Sequence, residues 1–112
     1  MASEKSGATP LQGTLELLVL HTLSPGPLHG YAIAQQIGVL SEHVLKIEQG
    51  SLYPALERLQ RNGWVSSAWK ATPTGRFARY YTITRTGRKQ LGEKMNQYDQ
   101  ATLAISRVLG RD

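Results

Sequence analysis

Residues 50–59 read GSLYPALERL. Leu52, Ala55, Leu56 and Leu59 recur at i, i+3, i+4 and i+7, which is one face of an α-helix. The helix is predicted over 51–62, ending at Asn62-Gly63, a C-terminal stop signal. At about 100° per residue, Gly50, Pro54, Glu57 and Arg61 lie opposite the apolar face. Ser51 and Arg58 flank that outward face on one side, Tyr53 and Gln60 on the other. Small residues at the start and arginines further along suit a helix that enters a DNA major groove N-terminus first. Pro54 is the anomaly. With Ser51 as N-cap it would be the third helical residue, whose N–H has no partner in the helix anyway. A start no earlier than Ser51 is therefore expected, with the proline ring meeting Gly50 outside the helix. Pro54 could then touch a thymine methyl, and the Tyr53 hydroxyl a phosphate. Arg58 or Arg61 could reach guanine edges or phosphates, ordinary surface arginine being the alternative for each. Glu57 repels phosphate unless it accepts from a cytosine N4 or pairs with an arginine.

Working toward the N-terminus, VLKIE at 44–48 alternates Leu45 in, Lys46 out and Ile47 in, which predicts a very short strand. A helix is expected over about 29–40, with Tyr31, Ile33, Ala34, Ile37 and Leu40 on its apolar side. SPGP at 24–27 is a turn. Thr9, Pro10 and Gln12 form a capping-box start for a first helix that runs to Leu23. Its apolar residues, Leu15 and Leu18 among them, cover most sides, so it is expected to be buried on two sides, one of them by a partner subunit. Residues 1–8 are read as a disordered tail.

Toward the C-terminus, WVSSAWK at 64–70 and FARYYTIT at 77–84 have the aromatic and β-branched content of two strands. They form a hairpin around ATPTG. Gly75 supplies the turn, and Arg76 and Arg79 are placed along a minor groove or its phosphates. Phe77 lies between them, either packed on the sheet or exposed. A long helix starts at Thr84 or Thr86 and reaches about Leu109. Leu91, Met95, Tyr98, Thr102, Ile105 and Leu109 repeat at 4, 3, 4, 3, 4, a heptad seam for dimerisation. The order is that of a winged helix-turn-helix, mainly α with a small β-hairpin, flanked by an N-terminal helix and a long C-terminal one. The expected division is a tail at 1–8, a DNA-binding domain at 9–84 and a dimerisation helix at 85–110.

The chain has 112 residues, 40% of them apolar, enough for one domain with a small core. It has no cysteine, which excludes disulfides, thiolate metal sites and a cysteine nucleophile. His21, His29 and His43 show no metal-ligand spacing, and no paired carboxylates or phosphate-cradling loop occur. No enzyme, cofactor or metal is expected. The N-terminus has no apolar signal region and no stretch is long enough to span a bilayer, so a cytoplasmic protein is expected. The net charge is +5. Arg58, Arg61, Lys70, Arg76, Arg79, Arg85, Arg88 and Lys89 fall between residues 58 and 92 with no carboxylate among them. Such one-signed clustering is a duplex-binding footprint, because each phosphate contact releases a condensed counterion. The rival reading is a winged helix used for protein contact without DNA; the basic cluster speaks against it.

GSLYPALERL, GWVSSAW and GRFARYYTITRTGRKQL, preceded by PLHGYAIAQQI, resemble the PadR family of bacterial transcriptional regulators over about residues 11–95. The shortness of the chain is similar to the branch in which one C-terminal helix forms the dimer. The resemblance implies a winged-helix homodimer on a palindromic operator, usually a repressor, and often one released by small aromatic or hydrophobic compounds. It implies that Ser51, Tyr53, Pro54 and Arg58 lie at the DNA-facing start of the recognition helix, and that Gly75, Arg76 and Arg79 form the wing. Phe77-Ala78 departs from the more basic residues the family often has there. An effector in a cleft between the first and last helices would meet Met95 and Tyr98; plain interface packing is the alternative reading of those two residues.

Overall fold

A computed structural model describes residues 13–111. Four helices and three short strands follow one another: α1 (Thr14–Leu23), β1 (Leu28–His29), α2 (Gly30–Leu40), α3 (Gln49–Arg61), β2 (Val65–Ala71), β3 (Phe77–Ile83) and α4 (Arg85–Val108). The sheet is antiparallel in the order β1-β3-β2. The core joins Val19, Leu20 and Leu23 of α1, Ile33 and Ile37 of α2, and Leu52, Leu56 and Leu59 of α3 to Val65, Tyr81 and Ile83 of the sheet. The four apolar residues that define α3 in the sequence, Ala55 included, are all buried. This is the mainly α winged-helix architecture that the order of elements predicts.

Four local expectations are corrected. First, α3 starts at Gln49 with Glu48 as N-cap, not at Ser51. The Glu48 carbonyl accepts from the amides of both Ser51 (3.0 Å) and Leu52 (2.9 Å), closing the first turn before Ser51 could cap it. Pro54 is thus the sixth helical residue, and the Gly50 carbonyl four residues back loses a real partner. Second, VLKIE contributes only a single bridge at Leu45. The free edge of β3 is taken instead by Leu28 and His29, opposite Tyr81 and Tyr80. Third, Gly13 has φ 96°, a left-handed backbone that breaks the helix, so α1 begins at Thr14. The capping box expected at Thr9–Gln12, and the tail before it, lie outside the described residues. Fourth, Tyr31 and Leu40 are exposed; α2 buries only Ile33 and Ile37 among its large apolar residues.

The junctions are well fixed. α3 ends in a Schellman turn: Gly63 has φ 78°, its amide donates to Gln60, and that of Trp64 donates to Leu59. Thr84 caps α4, accepting from the Gly87 amide at 3.0 Å, while its hydroxyl donates to the Gly63 carbonyl at 2.7 Å. Gly87 is buried, and a Cβ there would collide with the Trp64 carbonyl and the Ile83 side chain. The start of α4 is therefore clamped onto the end of α3 and the base of the hairpin.

Candidate nucleic-acid interface

The outward face of α3 and the near face of the hairpin enclose a trough of about 570 Å³, lined by Tyr53, Glu57, Gln60, Arg61, Arg79 and Tyr81. The sequence builds each wall by its own period. In α3, Tyr53, Glu57 and Arg61 are four apart and share a stripe beside the buried leucines. In β3, Arg79 and Tyr81 alternate with Tyr80 and so share a face with buried Ile83.

Arg79 is held in place from two sides, by Ser67 and by Trp69. Its Nε donates to Ser67 Oγ at 2.9 Å, and Ser67 Oγ donates in turn to Gln60 Oε1 at 3.2 Å. The guanidinium carbon lies 6.0 Å from the centre of the Trp69 ring, within cation–π range. With Nε engaged, the two terminal nitrogens remain as donors toward the trough, the fork that suits a phosphate. Burial pushes the Tyr81 phenol above its ordinary value; the Arg79 charge opposes this, and Tyr53 and Glu57 reinforce it. Tyr81 therefore stays a neutral hydroxyl. Glu57 is the single carboxylate lining the trough.

Tyr53 is positioned by a glycine. The ring packs over the start of α2, where a Cβ at Gly30 would lie 2.5 Å from the Tyr53 hydroxyl. α2 itself is capped by His29, whose Nδ1 accepts from the Ala32 amide at 3.2 Å, and whose ring meets Tyr80 edge-on at 5.3 Å. Ser51 and Pro54 are exposed on the first turns of α3.

Other predicted residues lie elsewhere. Arg58 is turned away from the trough and paired with Glu16 of α1, Nε to Oε2 at 2.8 Å. Both ends of that pair reach solvent, so it is worth about 0–1 kcal/mol and is cheap to open. Lys70 projects from the far face of the hairpin, its Nζ 5.1 Å from the centre of the Tyr80 ring. Arg88 donates to the Ser24 carbonyl at 3.1 Å, toward the end of α1. Gly75 (φ 91°) and the exposed Arg76 form the tip of the wing, closed by bonds from the Gly75 amide to Thr72 and from the Thr72 amide to Arg76. Sequence reasoning missed Ser67, Trp69 and Tyr81. The strand alternation holds their signal, but only once the Trp69–Arg79 register is known.

A second, smaller cleft of about 240 Å³ lies between α1 and α4, lined by Leu17, Leu18, His21, Met95, Tyr98 and Asp99. Of the heptad seam, Leu91 packs on the core, as do Leu15 and Leu18 of α1. Met95, Tyr98, Thr102, Ile105 and Leu109 are all exposed. Among the described residues no helix is long and apolar enough to cross a membrane, and no three His, Cys, Asp or Glu side chains gather to hold a metal.

This architecture has known counterparts. A PadR family transcriptional regulator from Eggerthella lenta superposes with a TM-score of 0.74 at 31% identity, over 90% of this chain and 86% of that one. A transcriptional regulator from Clostridium thermocellum superposes with a TM-score of 0.80 at 26% identity, over 87% and 94%. The transcriptional regulator Rv3488 of Mycobacterium tuberculosis is 33% identical over 82 residues, 73% of each chain. Residues 19–93, from the buried half of α1 through the wing to the first turns of α4, match the transcriptional regulator PadR-like family. The chain therefore belongs to the PadR-like family of transcriptional regulators.

Proposed function

We propose that this regulator binds duplex DNA as a homodimer on a palindromic operator, with α3 in the major groove and the wing over the adjacent minor groove. The trough between them would straddle the intervening phosphate strand. The observation that carries this reading is the trough itself, where Arg61, oriented Arg79 and Tyr53 line one strip between a helix and a hairpin. Arg76 and Gly75 extend that strip at the wing tip, and Ser51 and Pro54 continue it at the start of α3. Lys70 contributes charge from the wing's far face. Arg58 would join after releasing Glu16. In this reading 9–84 is the DNA-binding unit and 85–110 the dimerisation helix.

The exposed seam of α4, with Leu15, Leu18 and Leu91 at its base, supplies the dimer contact. Two copies would bring operator half-sites into two-fold register. The α1–α4 cleft, where Met95 and Tyr98 meet Leu17 and Leu18, is the place for a small aromatic or hydrophobic effector that relieves repression in the cytoplasm. The test of the DNA reading is affinity for a duplex selected from a random pool, measured from low to high salt. A steep linear fall of log K against log salt is expected. A flat line, or no selected duplex at all, would refute it.

A further inference from the structure

The wing carries aromatic surface that the charged trough does not use. Down the near face of the hairpin the paired positions are Val65 with Ile83, Ser67 with Tyr81, Trp69 with Arg79 and Ala71 with Phe77. The inner pairs close the core. Beyond the reach of α3 the same face runs into solvent, leaving Trp69 63% and Phe77 70% exposed. The two rings sit at diagonal positions of adjacent strands, within reach of one another. Cations frame them: Arg76 directly precedes Phe77, and Arg79 lies against Trp69. No carboxylate occurs between residues 58 and 92.

An apolar spot on a hairpin whose charged residues, Lys70, Arg76 and Arg79, are all cationic fits a polyanion that also offers apolar faces. A second copy of the chain fits poorly, since a two-fold contact here would press Arg76 and Arg79 against their own equivalents. A duplex minor groove fits well. Its rims are phosphates, its walls are deoxyribose, and its base steps admit an apolar side chain when they unstack. We propose that Phe77 is an apolar wedge that enters the minor groove under the wing tip, with Trp69 against the sugar wall, and that the regulator bends its operator there. A flexible pyrimidine–purine step beneath the wing is then preferred without any hydrogen bond reading it. This rests on the DNA-binding reading of the trough.

The experiment uses the full chain and the selected duplex, labelled at both ends for energy transfer, across a salt series. Phe77→Ala is expected to weaken binding roughly tenfold, to lose the end-to-end shortening, and to leave the salt slope unchanged, because an apolar contact releases no counterions. Phe77→Leu should recover much of both. Arg76→Ala should instead lower the slope by about one. Replacing a pyrimidine–purine step under the wing should cost the wild type affinity and Phe77→Ala almost none. Unchanged affinity and shape in Phe77→Ala would overturn the wedge while leaving DNA binding standing. So would a loss of dimer in that variant, which would place the ring against a second copy. Failure of the wild type to bind any selected duplex would overturn the DNA reading as well.

Discussion

The α3–wing face and the α1–α4 face are both uncovered, and their chemistry is opposite. The first is a trough with an oriented guanidinium, a second arginine, two phenols, an amide and one carboxylate. The second is an almost wholly apolar cleft that continues into the bare heptad seam of α4. Burying the seam against water-filled space would gain nothing, and burying it against another seam gains about 25 cal/mol for each Å² removed from water. Burying the trough against an apolar protein surface would leave Arg79 and Arg61 with Glu57 alone as counter-charge, whereas phosphate supplies more. One small chain thus presents two surfaces of opposite chemistry. α1 stands between them. Glu16 reaches Arg58 of α3, while Leu17, Leu18 and His21 line the cleft.

The largest expected effect breaks the frame that separates the two faces. Gly87→Ala puts a methyl into the Trp64 carbonyl where α4 leaves the hairpin. It should lower stability by at least about 2 kcal/mol and the melting temperature by about 10 °C, seen by thermal circular dichroism. Retention of the wild-type melting temperature would mean that α4 is not clamped there. Next, Ile105→Asp sets a carboxylate on the exposed seam without disturbing the protomer core. Light scattering should then report one chain in place of two, with far-ultraviolet helicity kept at high concentration. An unchanged mass would move the dimer contact off α4.

Much of this division is legible in the sequence, for reasons tied to particular residues. The four buried positions of α3 and the heptad of α4 are periodic, and periodicity reports a face directly. Of the basic residues in the acid-free run from 58 to 92, Arg61 and Arg79 line the trough, whereas Arg58, Lys70 and Arg88 turn elsewhere. What sequence misplaces depends on distant partners. Arg58 flanks the outward side of the wheel, yet Glu16, 42 residues earlier, draws it toward α1. β1 has two residues and exists because β3 has a free edge, which no local pattern announces. The cost of an interior proline predicts a start of α3 at Ser51. The Glu48 carbonyl nonetheless closes the turn earlier, and the helix tolerates Pro54 with the exposed Gly50 behind it. The exposure of Phe77 is likewise set by how far the hairpin outruns α3.

Arg58 and Arg79 are both expected at DNA from the sequence, but Glu16 pairs with Arg58, whereas Ser67 and Trp69 hold Arg79 at the trough. The most direct measurement is the salt dependence of duplex affinity for wild type, Arg79→Ala and Arg58→Ala. Arg79→Ala should weaken binding to every duplex and lower the salt slope by about one. Arg58→Ala, which first loses only a weak pair with Glu16, should weaken binding less and leave the slope closer to that of wild type. A larger loss of slope in Arg58→Ala than in Arg79→Ala would contradict the assignment of the trough as the phosphate-binding face.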